Sequence, residues 1–158
     1  MRRDLLQGIG WAALSCALTP GFAQAQQASS SLRSVASSIG FNIGVTVGGY
    51  GRPEAYRPLV EIQTREFNLG EIGLHWQISE PQRGQYAFDA FLNNLAIART
   101  AGMRTFAQSM IWASSLPAWV REGNFSRDEL LKIMYDRISS CLERFGDGVD
   151  TFGVVNEA

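Results

Sequence analysis

Thr151-Phe152-Gly153-Val154-Val155-Asn156-Glu157-Ala158 is the stretch on which the fold turns. Its apolar and β-branched residues, Phe152, Val154 and Val155, predict a short buried strand. That strand delivers an Asn-Glu pair at its C-terminal end. In a parallel α/β barrel, side chains at the C-terminal ends of the strands build the site. Asn156 and Glu157 would then bring an amide and a carboxyl into one pocket. Asn and Glu also cap helices, so the pair gains weight only from the chain upstream.

Working backwards, Ser126 precedes the longest apolar periodicity, with Asp128 and Glu129 in its first turn. Ser126 and Glu129 predict a capping box, and Gly146-Asp147-Gly148 a stop near Phe145. Arg104 to Trp112 reads as a strand with Phe106, Met110 and Ile111 apolar, and Leu116 to Val120 as a loop. Phe88 to Ala101 is an amphipathic helix closed by Gly102. Ser79 to Gly84 is polar turn chemistry. Asn68 to Trp76 is a strand with Glu71 to Trp76 at its centre, and Tyr56 to Phe67 a helix with Pro58 in its first turn. Phe41 to Val47 is the first strand.

The order is strand-helix repeated, ending on a fourth strand, and it predicts a parallel α/β sheet with right-handed crossovers. A doubly wound sheet satisfies the same order. No Gly-x-Gly-x-x-Gly follows a strand, which argues against a dinucleotide site. A barrel needs eight strands and roughly 250 residues, so 158 residues with four strands read as its front half.

The bulk numbers narrow the class. A hydrophobic fraction of 46% and a charged fraction of 18% belong to a globular chain. The net charge is −1, from 14 basic and 15 acidic residues. The body of the chain has no basic cluster, which argues against nucleic acid as a partner. The single histidine, His75, has no Cys/His cluster around it, so nothing has zinc-site spacing.

Residues 1–25 read as a signal peptide. Arg2 and Arg3 are its basic start, Leu5 to Phe22 its apolar core and Ala23-Gln24-Ala25 its cleavage site, leaving Gln26 as the mature start. Residues 26–38 are a linker with a short helical turn, and residues 39–158 the partial barrel. The expected location is secreted or periplasmic, by ordinary export or by the twin-arginine route, with no membrane association after cleavage. A lipoprotein reading through Cys16 fits its preceding residues badly. Removal of Cys16 leaves Cys141 alone, on the helical face of Leu130, Met134, Ile138, Leu142 and Phe145, as a small core residue.

Three stretches in register carry a resemblance. Trp76 to Phe88, with Glu80-Pro81 and Gly84, resembles the segment after strand two of glycoside hydrolase family 10, the β-1,4-xylanases. Trp112 with Leu116-Pro117-Ala118-Trp119 resembles that family's Trp-His-x-x-Leu-Pro-x-Trp. Val154-Val155-Asn156-Glu157-Ala158 matches its strand-four sequence. The resemblance spans about residues 32 to 158 and implies the N-terminal half of a TIM barrel from a secreted retaining glycosidase acting on a β-1,4-linked plant polysaccharide such as xylan.

By that resemblance Glu157 is the general acid/base and Asn156 bonds the sugar 2-hydroxyl. Glu71 and Trp112 fall on substrate-binding positions at the ends of strands two and three. The chain departs from the family pattern at several points. Ile72 stands for an Asn, His75 for a Lys, Gln108 for a His and Ala113 for another His. His75 and Gln108 remain candidate sugar contacts. The nucleophile lies on strand seven in this family and is absent from these residues, so the chain alone is expected to be inactive. Two alternatives stay open: a catalytically dead sugar-binding relative, and another (β/α)8 glycosidase family that shares the strand-four Asn-Glu.

Overall fold

The computed structural model describes residues 30–48 and 57–157. The expected signal segment, Tyr56 at the predicted helix start, and Ala158 lie outside the described residues. Four strands form one sheet in the order β1 (Gly44–Thr46), β2 (Leu69–Gly73), β3 (Arg104–Trp112), β4 (Thr151–Asn156), every neighbouring pair parallel. Six α-helices accompany them: α1 (Leu32–Ser38), α2 (Arg57–Glu66), α3 (Trp76–Ser79), α4 (Asp89–Thr100), α5 (Ala118–Arg121) and α6 (Arg127–Phe145).

The core lies between one face of the sheet and helices α4 and α6. Val47 just past β1, and Ile72 and Ala107 from β2 and β3, meet Phe91, Leu95 and Ala98 of α4 and Ile133, Cys141 and Phe145 of α6. Each fully buried large apolar side chain contributes about 1.5–3 kcal/mol of transfer free energy. Glu71 and Gln108 alternate with core residues on their strands and are only half-buried. The period-2 alternation therefore turns them to the face that α4 and α6 leave uncovered.

Helix ends follow their local chemistry. The Ser126 hydroxyl accepts from the Glu129 amide while the Glu129 carboxylate accepts from the Ser126 amide, completing the capping box of α6. The Ser126 hydroxyl also donates to the Glu129 carboxylate at 2.7 Å; that contact first, and the Ser126 amide second, hold the carboxyl below its usual range. Gly102 takes φ +63° just after α4, a left-handed conformation that costs a glycine little.

Three boundaries differ from the sequence reading. The first strand is only Gly44–Thr46. The second ends at Gly73, and Trp76 begins a helical turn instead of closing a strand. The reason is the buried indole: Trp76 Nε1 donates to Glu80 Oε2 at 2.8 Å, and a helical turn brings positions i and i+4 together. Glu80, read as part of a polar loop, is 4% exposed and also accepts from the Gly84 amide at 2.8 Å. The expected loop Leu116–Val120 contains the turn α5, entered through Pro117.

Candidate functional site

The β3–β4 pairing sets the site. Its register runs Gln108↔Gly153, then shifts, and resumes at Ile111↔Val155 and Trp112↔Asn156. The Gln108–Ser109 peptide inside that shift is cis. A Cβ on Gly153 would come within 2.9 Å of the Gln108 Cβ, so a glycine opposite Gln108 leaves its side chain room. Gln108 uses that room to reach across to β2.

Hydrogen bonds gather the candidate side chains into two groups. In the first, Gln108 Nε2 donates to Glu71 Oε1 at 3.0 Å and Thr46 Oγ1 donates to Glu71 Oε2 at 2.6 Å. Glu71 is thus gripped from both neighbouring strands. In the second, Trp112 Nε1 donates to Glu157 Oε2 at 2.7 Å. An indole N–H is a donor only, so this contact orients the Glu157 carboxyl without competing for its proton. The His75 and Trp112 rings lie 5.7 Å apart at 51°. Asn156 stands beside Trp112 in the register, half-buried.

Glu157 itself is exposed, just past the end of β4, with φ +51°. A non-glycine residue there is uncommon and clusters at functional sites. His75 does not sit on a strand, as the sequence suggested. It precedes α3 as its N-terminal cap residue, two positions beyond β2. Ile72 is fully buried in the apolar core, so its replacement of a polar residue is a packing change and opens no gap facing a ligand. Ala113 is exposed in the turn after Trp112 and carries no polar group to offer.

A cavity of about 290 Å³ adjoins the second group, lined by Trp112, Asn156 and Glu157 and by Leu116, Ile133 and Met134. Its walls are almost wholly apolar. A polar ligand needs placed donors and acceptors, which the two hydrogen-bonded clusters offer and this hollow does not. Among the described residues no three His, Cys, Asp or Glu side chains stand together as a metal site. No helix among them is long and apolar enough to cross a membrane.

Sequence reasoning missed Thr46. Its polar side chain between apolar Val45 and Val47 was the available signal, but its meaning depends on lying opposite Glu71 in the ladder.

A parallel sheet wound in sequence order, helices on one face and a carboxyl past its last strand, is one side of a (β/α)8 barrel of the kind that carries its chemistry at the strand ends. The chain matches the Glycosyl hydrolase family 10 model over residues 31–158, and it belongs to that family. Endo-1,4-beta-xylanase B of Thermotoga neapolitana is 29% identical over 131 residues, 80% of this chain and 38% of that protein. Endo-1,4-beta-xylanase 1 of Humicola insolens is 31% identical over 146 residues, 89% of this chain and 34% of that one. Xylanase 10B from Thermotoga petrophila RKU-1, solved in complex with xylobiose, superposes with a TM-score of 0.72 at 27% identity, covering 81% of this chain and 40% of its own. The chain therefore spans 34% to 40% of the length of these relatives and corresponds to their N-terminal half.

Proposed function

We propose that the chain is the acid/base half of a retaining β-1,4-glycanase that acts on xylan or a closely related plant polysaccharide. The observation that carries this reading is Glu157, exposed past β4 and oriented by the Trp112 indole at 2.7 Å. Glu157 would protonate the leaving oxygen and then activate water, while Asn156, Glu71, His75 and Gln108 hold hydroxyls of the sugar. Support comes from the relatives, which carry the name endo-1,4-beta-xylanase.

Retention needs a second carboxyl about 5–5.5 Å from the first. Glu71 is a poor nucleophile, because both of its oxygens already accept from Gln108 and Thr46. The nucleophile must come from strands beyond the four described, so the 158-residue chain by itself does not turn substrate over. Export through the Met1–Ala25 segment, with Gln26 as the mature start, belongs to the same reading.

The test is a pair of substrates on a longer protein in which the remaining strands complete the barrel. Glu157→Gln should slow xylo-oligosaccharides by about 10²–10⁴-fold and aryl glycosides with good leaving groups far less, because only the former need the proton. Equal losses on both substrate types would remove Glu157 from the acid role. A second reading, sugar binding without turnover, is favoured by the uncharged Gln108 and Ala113 near the site. Binding of xylobiose with no hydrolysis of any β-glycan by the longer protein would establish it.

A further inference from the structure

The grip on Glu71 has a member outside every motif discussed above. Thr46 lies directly opposite Glu71 in the β1–β2 ladder. Its neighbours Val45 and Val47 pack toward the core, whereas Thr46 is exposed on the other face. Strand pairing runs through the backbone and does not use its hydroxyl. That hydroxyl is spent on one contact, donation to Glu71 Oε2 at 2.6 Å. Gln108 Nε2 holds the other oxygen at 3.0 Å.

We propose that Thr46 is a positioning residue of the sugar site, whose hydroxyl, with the Gln108 amide, fixes Glu71 as a rigid acceptor for a pair of sugar hydroxyls. An ionised carboxylate offers about four lone-pair positions. Two are filled from β1 and β3, one on each oxygen, which sets the plane of the group. The remaining two are left to accept from ligand O–H groups. A carboxylate fixed in advance loses less freedom when ligand binds. The inference rests on the glycanase reading given above and adds to it a residue and a role.

The experiment titrates xylobiose into a longer chain that carries the remaining strands of the barrel and follows backbone and side-chain amides by NMR. Three forms are compared: wild type, Thr46→Val, which keeps the shape and removes the hydroxyl, and Thr46→Ser, which keeps the hydroxyl. Thr46→Val should raise Kd roughly tenfold, the lower range for one hydrogen bond to a charged group. Thr46→Ser should bind as wild type does. The Gln108 side-chain amide should respond to xylobiose in wild type and Thr46→Ser, and melting temperatures should agree across the three forms. Equal affinity in wild type and Thr46→Val overturns the proposal and leaves the glycanase reading intact. A drop in both affinity and melting temperature in Thr46→Val that Thr46→Ser does not restore marks the role as structural and overturns it too. If xylobiose perturbs none of Glu71, Gln108 and Trp112 in wild type, the glycan reading of the site fails and this inference falls with it.

Discussion

Burial alone disarms Cys141. The thiol is fully enclosed, and its pKa is pushed from an ordinary 9.0 up to about 11, mainly by burial, with the neighbouring Arg137 pulling the other way. The native thiol should resist a water-soluble disulfide reagent and react once denaturant opens the chain; rapid native labelling would contradict this. The sign of the linkage follows. The unfolded thiol loses its proton first, so the stability tied to Cys141 is present below about pH 9 and drains away as pH rises toward about 11. A Cys141→Ala variant should have a flatter alkaline limb in a denaturation series, measured relative to its own stability at neutral pH. At this scale the sequence was legible wherever a side chain follows a local rule. Cys141 on a helical face is such a case, and so is the Ser126–Glu129 box. Thr46 and Glu80 were opaque because each takes its role from a partner, in a ladder for Thr46 and through helical closure around the Trp76 indole for Glu80.

Elements depend on locks that lie away from the site. Before β4, the Asp150 carboxylate accepts from the Thr105 amide at 2.6 Å and the Thr105 hydroxyl at 2.9 Å, while the Asp150 amide donates back to that hydroxyl. These contacts, the backbone one largest, hold the Asp150 carboxyl below its ordinary value. They pin the start of β4 to the start of β3, at the opposite end from Glu157. A carboxyl depressed on folding stabilises above its unfolded pKa, about 3.9 for Asp, and that contribution disappears as pH falls through the folded value. Asp150→Asn should therefore unfold more readily at pH 7 and lose less further stability on acidification than wild type. An unchanged acid limb would remove Asp150 from the lock. Strand and helix types were readable from periodicity. The end of β2 was not, because the run Glu71 to Trp76 is as apolar as a strand and only the Trp76–Glu80 contact turns it into a helix.

For the whole molecule, the described sheet has two edges, β1 and β4, each paired on one side only. Val155 on β4 is 52% exposed, and the apolar hollow of about 290 Å³ lies beside it. Unpaired strand edges next to apolar surface template association. The 158-residue chain should form larger species as its concentration rises in sedimentation runs, and it should release no reducing sugar from xylan. A monodisperse monomer that hydrolyses xylan would defeat both expectations. The parallel order of all four strands could be read in advance, since alternation leaves few topologies. Depth within the barrel could not. Glu71 pairs with Phe106 while Asn156 pairs with Trp112, further along β3, and the register shift after Gln108 moves Asn156 from the level of Ile111 to that of Trp112, a step that no local pattern announces.

Arg137 has an outcome that reaches past stability. It belongs to α6, yet its guanidinium is spent on the backbone where β2 and β3 run out: Nη2 donates to Leu74 O at 3.1 Å and to Ser79 Oγ at 2.7 Å, and Nε to Met110 O at 3.3 Å. The Trp76 and Phe88 rings lie 5.7 Å from it. Leu74 and Met110 are the near neighbours of His75 and of Trp112 in the chain. One helical position thus touches the backbone beside two of the candidate site residues. Position 137 is where α6 and the strand ends of the candidate site are tied together, so a change there is felt by both.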